Sequence, residues 1–255
     1  SKVVLHIGTH KTATTTIQDM FWANAELLAE HGLVYPRLSL VTGHHGLVYD
    51  WGRLPKVYEL PDGSLGTLAK IAEEYAAGEA TVFLSSEEFS RGDPAAAVDF
   101  VAVRNALRAF DEIEVVCVLR TQWQFLQSVY LELSKTQTPP RPPQMVQPVI
   151  ESGMFKGLWV DYNRLLDQLE QVFAPEEIKF LDFESCRKAE GGVIGSLLRQ
   201  LGIDLAVEML EEVNEGSSNV SPMSLASWAA NILAEPKVAP NWLVTKTTAM
   251  LKREL

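Results

Sequence analysis

Cysteine is nearly missing from this chain: Cys117 and Cys186 are the only two in 255 residues. They are too few and too far apart for a disulfide framework or a cysteine-based metal centre. Cys117 sits within Val115-Val116-Cys117-Val118-Leu119 and reads as a core thiol, which fits a reducing cytoplasm. Apolar runs long enough to span a bilayer are lacking, and so is the charged, apolar and cleavable sequence of a signal peptide. The histidines show no helical H-E-x-x-H spacing, so no metal is expected. Positive charge is scarce: 22 Lys and Arg oppose 33 Asp and Glu, a net charge of −11. That field repels nucleic acid, anionic membranes and polysulfated glycans. It still permits one small anion, because clustered amide N–H groups, Lys and Arg outweigh a screened distant field.

What is abundant is apolar: 47% of the residues are hydrophobic, enough for a full core. The length fits one large domain over 1–255. Val3-Val4-Leu5-His6-Ile7, Thr81–Ser85, Glu114–Leu119 and Ile178–Leu181 are short apolar runs of the kind buried parallel strands show. Helical periodicity follows each of the first three. One helix runs from about Thr14 through Ile17, Met20, Phe21, Ala25 and Leu28 and ends at His31-Gly32; His31 reads as part of that helix end. Others are expected over 64–77, 94–109 (with Asp93 as N-cap and Pro94 first), 122–135, 162–173 and 193–201. Residues 36–63 read as a long surface excursion. The run Pro139-Pro140-Arg141-Pro142-Pro143 makes 136–148 an extended linker or lid. Residues 205–255 read as a helical extension, broken at Pro236 and Pro240. Alternating strands and helices predict a three-layer α/β/α fold with a central parallel sheet. Ligands of such sheets bind beyond the carboxyl ends of the strands.

Two segments there carry chemistry. Ile7 is followed by Gly8-Thr9-His10-Lys11-Thr12-Ala13-Thr14-Thr15-Thr16. A helix start offers unpaired amides and a positive dipole end to phosphate. Lys11 adds a charge and the threonines add hydroxyls. Four β-branched threonines suit anion binding better than a helix interior. Lys11 lies only three positions after Gly8, unlike the Walker pattern, where the step is about six. Leu119 leads into Arg120 rather than a magnesium-organising Asp. Arg120 and Ser128, eight residues later, can offer a guanidinium fork and a hydroxyl to one phosphate.

Together these segments resemble the family of sulfotransferases that use 3′-phosphoadenosine 5′-phosphosulfate (PAPS). Lys11-Thr12-Ala13-Thr14-Thr15 is similar to its 5′-phosphosulfate loop, a P-loop-like element after the first strand. Arg120, Ser128 and Tyr130 resemble its 3′-phosphate motif. His6-Ile7-Gly8 to Ile17-Gln18, Gly32 to Pro36, and Asp161-Tyr162 to Glu184 resemble a bacterial branch. The likeness covers most of 3–185 and is weak over the C-terminal tail. Ala13 departs from the family's Gly; as a helix-start residue Ala is harmless, but a positive φ there would disfavour it.

The resemblance implies PAPS as donor, its desulfated product PAP, and no metal. Gly8, Thr9, His10, Lys11, Thr12, Ala13, Thr14, Thr15 and Thr16 would cradle the 5′ end, and Arg120 with Ser128 the 3′-phosphate. Lys11 would stabilise the leaving phosphate. A histidine of the excursion would be the base, His44 first and His45 second, with Glu87 or Glu88 as rivals. His10 either touches the sulfate or is solvated, and His6 is a core or supporting residue. The stretch Asn214 to Ser221 is where the family often closes on its nucleotide. The acceptor would be a hydroxyl of a small molecule, sugar or lipid, in a pocket built from 36–63, 136–148 and the C-terminal helices. A homodimer is left open. The competing readings are a metal-dependent small-molecule kinase and an inactive PAP- or nucleotide-binding protein.

Overall fold

The computed structural model describes residues 1–213 and 222–254; the Asn214–Ser221 stretch lies outside the described residues. The chain forms two compact units. The first combines Ser1–Arg120 with Lys156–Val213, and the second combines Thr121–Phe155 with the C-terminal helices.

The first unit is built on strands β1 (Lys2–His6), β2 (Leu33–Val34), β3 (Thr81–Ser85), β4 (Glu112–Leu119) and β5 (Ile178–Asp182). They form one parallel sheet in the order β2-β3-β1-β4-β5. Its helices are α1 (Thr14–Ala23), α2 (Ala25–Glu30), α3 (Gly63–Tyr75) and α4 (Phe100–Ala106). After α5 (Gln122–Leu133) and α6 (Pro142–Ser152) of the second unit, the chain returns with α7 (Tyr162–Leu169), α8 (Phe183–Lys188) and α9 (Gly192–Gln200). It then adds α10 (Ser224–Ala234) and α11 (Asn241–Glu254) to the second unit.

Strand side chains alternate between two cores. Val3, Leu5, Val82, Leu84, Val115 and Cys117 pack with residues of α3, α4 and α7. Val4, Phe83 and Val116 pack on the opposite face with residues of α1, α2 and α9. The first unit is therefore the expected three-layer α/β/α fold. With β1 central, the loops leaving β1, β3 and β4 share one edge. Among the described residues no helix is long and apolar enough to cross a membrane.

Several expected boundaries are corrected. The helix expected from Thr14 to Leu28 is interrupted at Asn24, whose side-chain amide donates to Met20 O and Glu211 O; a polar group competing for helix carbonyls breaks the run. The helix expected from Pro94 starts only at Phe100, with Asp99 accepting from Ala102 N. Residues 95–97 turn their amides to Gly92 O and Trp51 O instead, so tertiary pairing replaces local helix. The excursion 36–63 is not a surface loop throughout: it contains 3₁₀ turns at His45–Trp51 and Lys56–Tyr58, and Leu47 and Val48 are fully buried.

The Pro-rich segment is also more ordered than an extended linker. Pro142 and Pro143 occupy the first turn of α6, where the missing N–H groups would lack helical partners anyway. Arg141 N–H is satisfied by Gln144 Oε1 at 2.9 Å. The helical tail breaks near Pro236 and Pro240 as expected, between α10 and α11.

Candidate active site

The loop leaving β1 continues along β4 before it turns. Ile7 N–H donates to Val116 O at 2.9 Å and Thr9 N–H to Val118 O at 2.8 Å, and Val118 N–H donates to Gly8 O. Thr12 Oγ1 donates to Thr9 O, and both threonines are buried. The Thr12 hydroxyl is thus tied into the loop, and the Thr9 hydroxyl donates to Val118 O on β4 at 3.3 Å. Thr14 is buried, whereas Thr15 and Thr16 are exposed at the first turn of α1. No side chain caps that helix and its first turn holds no acidic residue, which leaves a positive helix end suited to an anion.

Gly8 is required where it stands. Its φ is +87°, and a Cβ there would lie 2.8 Å from Glu87 Cβ. Lys11 and Ala13 also have left-handed backbones, with φ of 63° and 64°. Ala13 is the N-cap of α1, with ψ of 25°. The expectation that Ala13 begins the helix in an ordinary conformation is therefore corrected. It occupies the geometry that favours glycine.

Arg120 follows β4 directly. Its Nη1 donates to Lys11 O at 3.2 Å, and its guanidinium lies 5.2 Å from the Phe183 ring centre. Tyr162 O–H donates to Arg120 O at 2.6 Å. The Nε of Arg120 is buried with no hydrogen-bond partner among the described residues. It is a buried donor beside the loop that leaves β1, and unsatisfied buried donors are rare.

The loop after β3 brings two carboxylates to the same edge. Ser86 Oγ accepts from Glu88 N–H and caps the turn Glu87–Ser90. Glu87 accepts from Gln18 Nε2 at 3.0 Å and lies 4.0 Å from His45 Nδ1. Burial would raise the Glu87 pKa, but the nearby His45 and His10, with its hydrogen bonds, hold it below the usual carboxylate value. Burial likewise opposes ionisation of Glu88, yet His10 at 3.2 Å and Arg91 bring it down to about 2. Both carboxylates are charged near neutrality.

The two candidate histidines differ. His44 is buried; its Nε2 donates to Pro36 O at 2.7 Å, while Ser85 N–H donates to its Nδ1 at 2.9 Å. Both ring nitrogens are therefore occupied by backbone, and burial lowers its pKa to about 4 against the weaker pull of the Pro36 carbonyl. His45 is partly exposed; its Nδ1 meets Ser86 Oγ at 2.9 Å, and its ring sits edge-on to Tyr58. His6 is a core residue: it stacks on Phe83, and its Nδ1 meets Ser85 Oγ at 2.8 Å.

Two solved structures resemble this architecture. A sulfotransferase from Alicyclobacillus acidocaldarius aligns with a TM-score of 0.51 and 13% identity, covering 90% of this chain and 92% of that one. The sulfotransferase domain of the Synechococcus PCC 7002 olefin synthase aligns with a TM-score of 0.45 and 12% identity, covering 99% of this chain and 94% of that one. This chain shares the fold of the Alicyclobacillus structure. No family model and no curated protein matches it.

Within this fold, the structure brings Gly8–Thr16, Arg120, His45, Glu87 and Glu88 to one edge of the sheet. His44 lies beneath that edge as a packed residue. Ser128 is buried on α5, in the second unit. Tyr130, on the same helix, accepts from Asn231 Nδ2 at 2.9 Å. Sequence reasoning missed Gln18, Ser86, Tyr162 and Phe183 as supports of the site. Gln18 and Tyr162 stood inside the segments that carried the resemblance, but nothing in their spacing announced a contact with Glu87 or Arg120. Among the described residues no group of His, Cys, Asp and Glu is arranged to hold a metal ion.

Proposed function

We infer that the chain is a sulfotransferase that moves a sulfuryl group from PAPS to a hydroxyl of a small-molecule, sugar or lipid acceptor. One observation carries the reading: Arg120, leaving β4, donates to the carbonyl of Lys11, in the loop leaving β1. Segments 109 residues apart thus meet at one edge of the sheet, as the binding of a nucleotide with phosphates at both ends requires. The uncapped start of α1 and the unsatisfied Arg120 Nε fit such a ligand.

The donor supplies a sulfuryl group already activated by its anhydride link to phosphate. The amides of Thr14–Thr16 and Lys11 hold its 5′ end, and Arg120 holds its 3′-phosphate. Lys11 offsets charge developing on the leaving oxygen. A unit charge at contact distance contributes up to about 4 kcal/mol at an effective dielectric of about 20. The base is assigned to His45 rather than His44, whose nitrogens are both engaged. With Nδ1–H donating to Ser86 Oγ, His45 Nε2 accepts the acceptor's proton. The Glu87 carboxylate, 4.0 Å away, stabilises the imidazolium that results.

Thermal shift with PAP, ATP and ATP–magnesium tests the binding half. PAP is expected to give the largest shift; a strong ATP–magnesium shift with none for PAP overturns the reading in favour of a kinase. Transfer of labelled sulfate to a hydroxyl library tests the chemistry. Lys11→Ala is expected to lower kcat by about a thousandfold. His45→Ala should lower it by roughly 10²–10⁴ at unchanged PAP affinity. An unchanged rate would move the base to Glu87.

A further inference from the structure

The second unit contains a groove of about 390 Å³ between helices α5, α6 and α10. Its walls are apolar: Trp123, Tyr130 and Trp228 supply rings, and Leu126, Met145 and Leu225 supply aliphatic surface. Trp123 is 63% exposed and Trp228 40% exposed, so two large rings line an open trough instead of filling a core. A volume of this size lies in the range of small-molecule sites.

A smaller cavity of about 100 Å³ shares Tyr130 and Trp228 with the groove, but apart from Pro139 and Ile232 its remaining lining is polar. It includes Thr138, Gln144, Asn231 and the ion pair of Arg141 with Glu235 at 2.8 Å. That pair cancels its own charge. Asn231 Nδ2 is engaged by Tyr130 and Ser134, and among the described residues its side-chain oxygen has no hydrogen bond. Gln144 Oε1 accepts from Arg141 N–H, which leaves the Gln144 amide hydrogens as donors. Tyr130 Oη accepts from Asn231 and retains its own hydrogen. The small cavity therefore offers donors and an acceptor without net charge, next to an apolar trough.

We propose that the second unit carries a binding site for a single-chain amphiphile, its alkyl or aryl body in the groove and a neutral hydroxylated head in the adjoining polar cavity. A fatty acid or a sulfated lipid fits less well, because Arg141 is already paired with Glu235 and a free charge would stay uncompensated. The site does not depend on the sulfuryl-transfer reading; it follows from the second unit alone.

The test uses the full chain with hexyl, octyl and decyl glucoside below their micelle concentrations, read by tryptophan fluorescence and calorimetry. Each added methylene is expected to strengthen binding by about fourfold until the groove is filled. Trp123→Ala should weaken octyl glucoside binding by at least about tenfold, and Trp242→Ala, outside the groove, should leave it unchanged. Should Trp123→Ala perturb folding, Leu225→Gln provides the same comparison at another wall. Octanoate should bind more weakly than octanol. Affinity independent of chain length, tighter binding of octanoate, or equal losses in the Trp242 variant would overturn the proposal. A concentration-dependent dimer in sedimentation that is abolished by Trp123→Ala, without glucoside binding, would assign the groove to a second copy of the chain and overturn it as well.

Discussion

Replacing Ala13 by glycine should stabilise the protein, although it removes a methyl group. Ala13 holds φ of 64° and ψ of 25° at the N-cap of α1. An L-residue in that region costs about 1–2 kcal/mol. Glycine removes the penalty but adds freedom to the unfolded chain, worth about 0.4–1 kcal/mol in the other direction. The difference is a gain of about 0.8 kcal/mol, equivalent to about 2–3 °C in Tm for a chain of this size. Gly8 supplies the opposite sign on the same loop. Gly8→Ala meets φ of +87° and a contact of 2.8 Å with Glu87 Cβ, so strain and overpacking together should cost about 2–4 kcal/mol. Urea unfolding of both variants against the parent chain measures the pair. A lower midpoint for Ala13→Gly, or an unchanged one for Gly8→Ala, would refute the conformational account of the loop.

Two further outcomes follow from buried groups. Burial lowers His6 and His44 to about 4 from an ordinary 6.5. The folded values lie below the unfolded ones, so the unfolded chain binds the extra protons. Stability is then complete above about pH 6.5 and declines as the pH falls towards 4. Between pH 7 and pH 5 each histidine should cost about 2 kcal/mol, visible as a falling urea midpoint; a flat midpoint across that window would contradict their burial as neutral rings. Gln18→Leu removes the amide that donates to Glu87 at 3.0 Å. It should lower kcat by about tenfold or more and move the acid limb of the pH–rate profile upward, while PAP affinity stays near that of the parent; a lower PAP affinity with kcat preserved would make Gln18 a loop support only.

The three central strands were legible because they are buried on both faces, whereas the two-residue edge strand Leu33–Val34 was not read. Val3-Val4-Leu5, Val82-Phe83-Leu84 and Val115-Val116-Cys117 are continuous apolar runs with no polar alternation, and that pattern names a parallel strand without any partner in view. The loop between β1 and α1 was legible for a related reason: a Lys among threonines between a strand and a helix is a local arrangement. Pro142 and Pro143 misled because proline is read as a breaker unless its place in the first turn is known. Pro94 misled in the other direction, since a helix-start signal at 93–94 lost to hydrogen bonds with Gly92 and Trp51.

Local chemistry therefore sufficed for the central strands and the first helix start. Which histidine stays free did not follow from it. His44 and His45 are neighbours in the chain, yet one has both nitrogens taken by Pro36 and Ser85 while the other reaches Ser86 at the sheet edge. The contact of Arg120 with Lys11 and the pairing of Gln18 with Glu87 have the same origin. Each depends on groups distant in sequence meeting in space, and hydrogen bonds of that kind are set by the packed sheet and its crossing connections rather than by residue order.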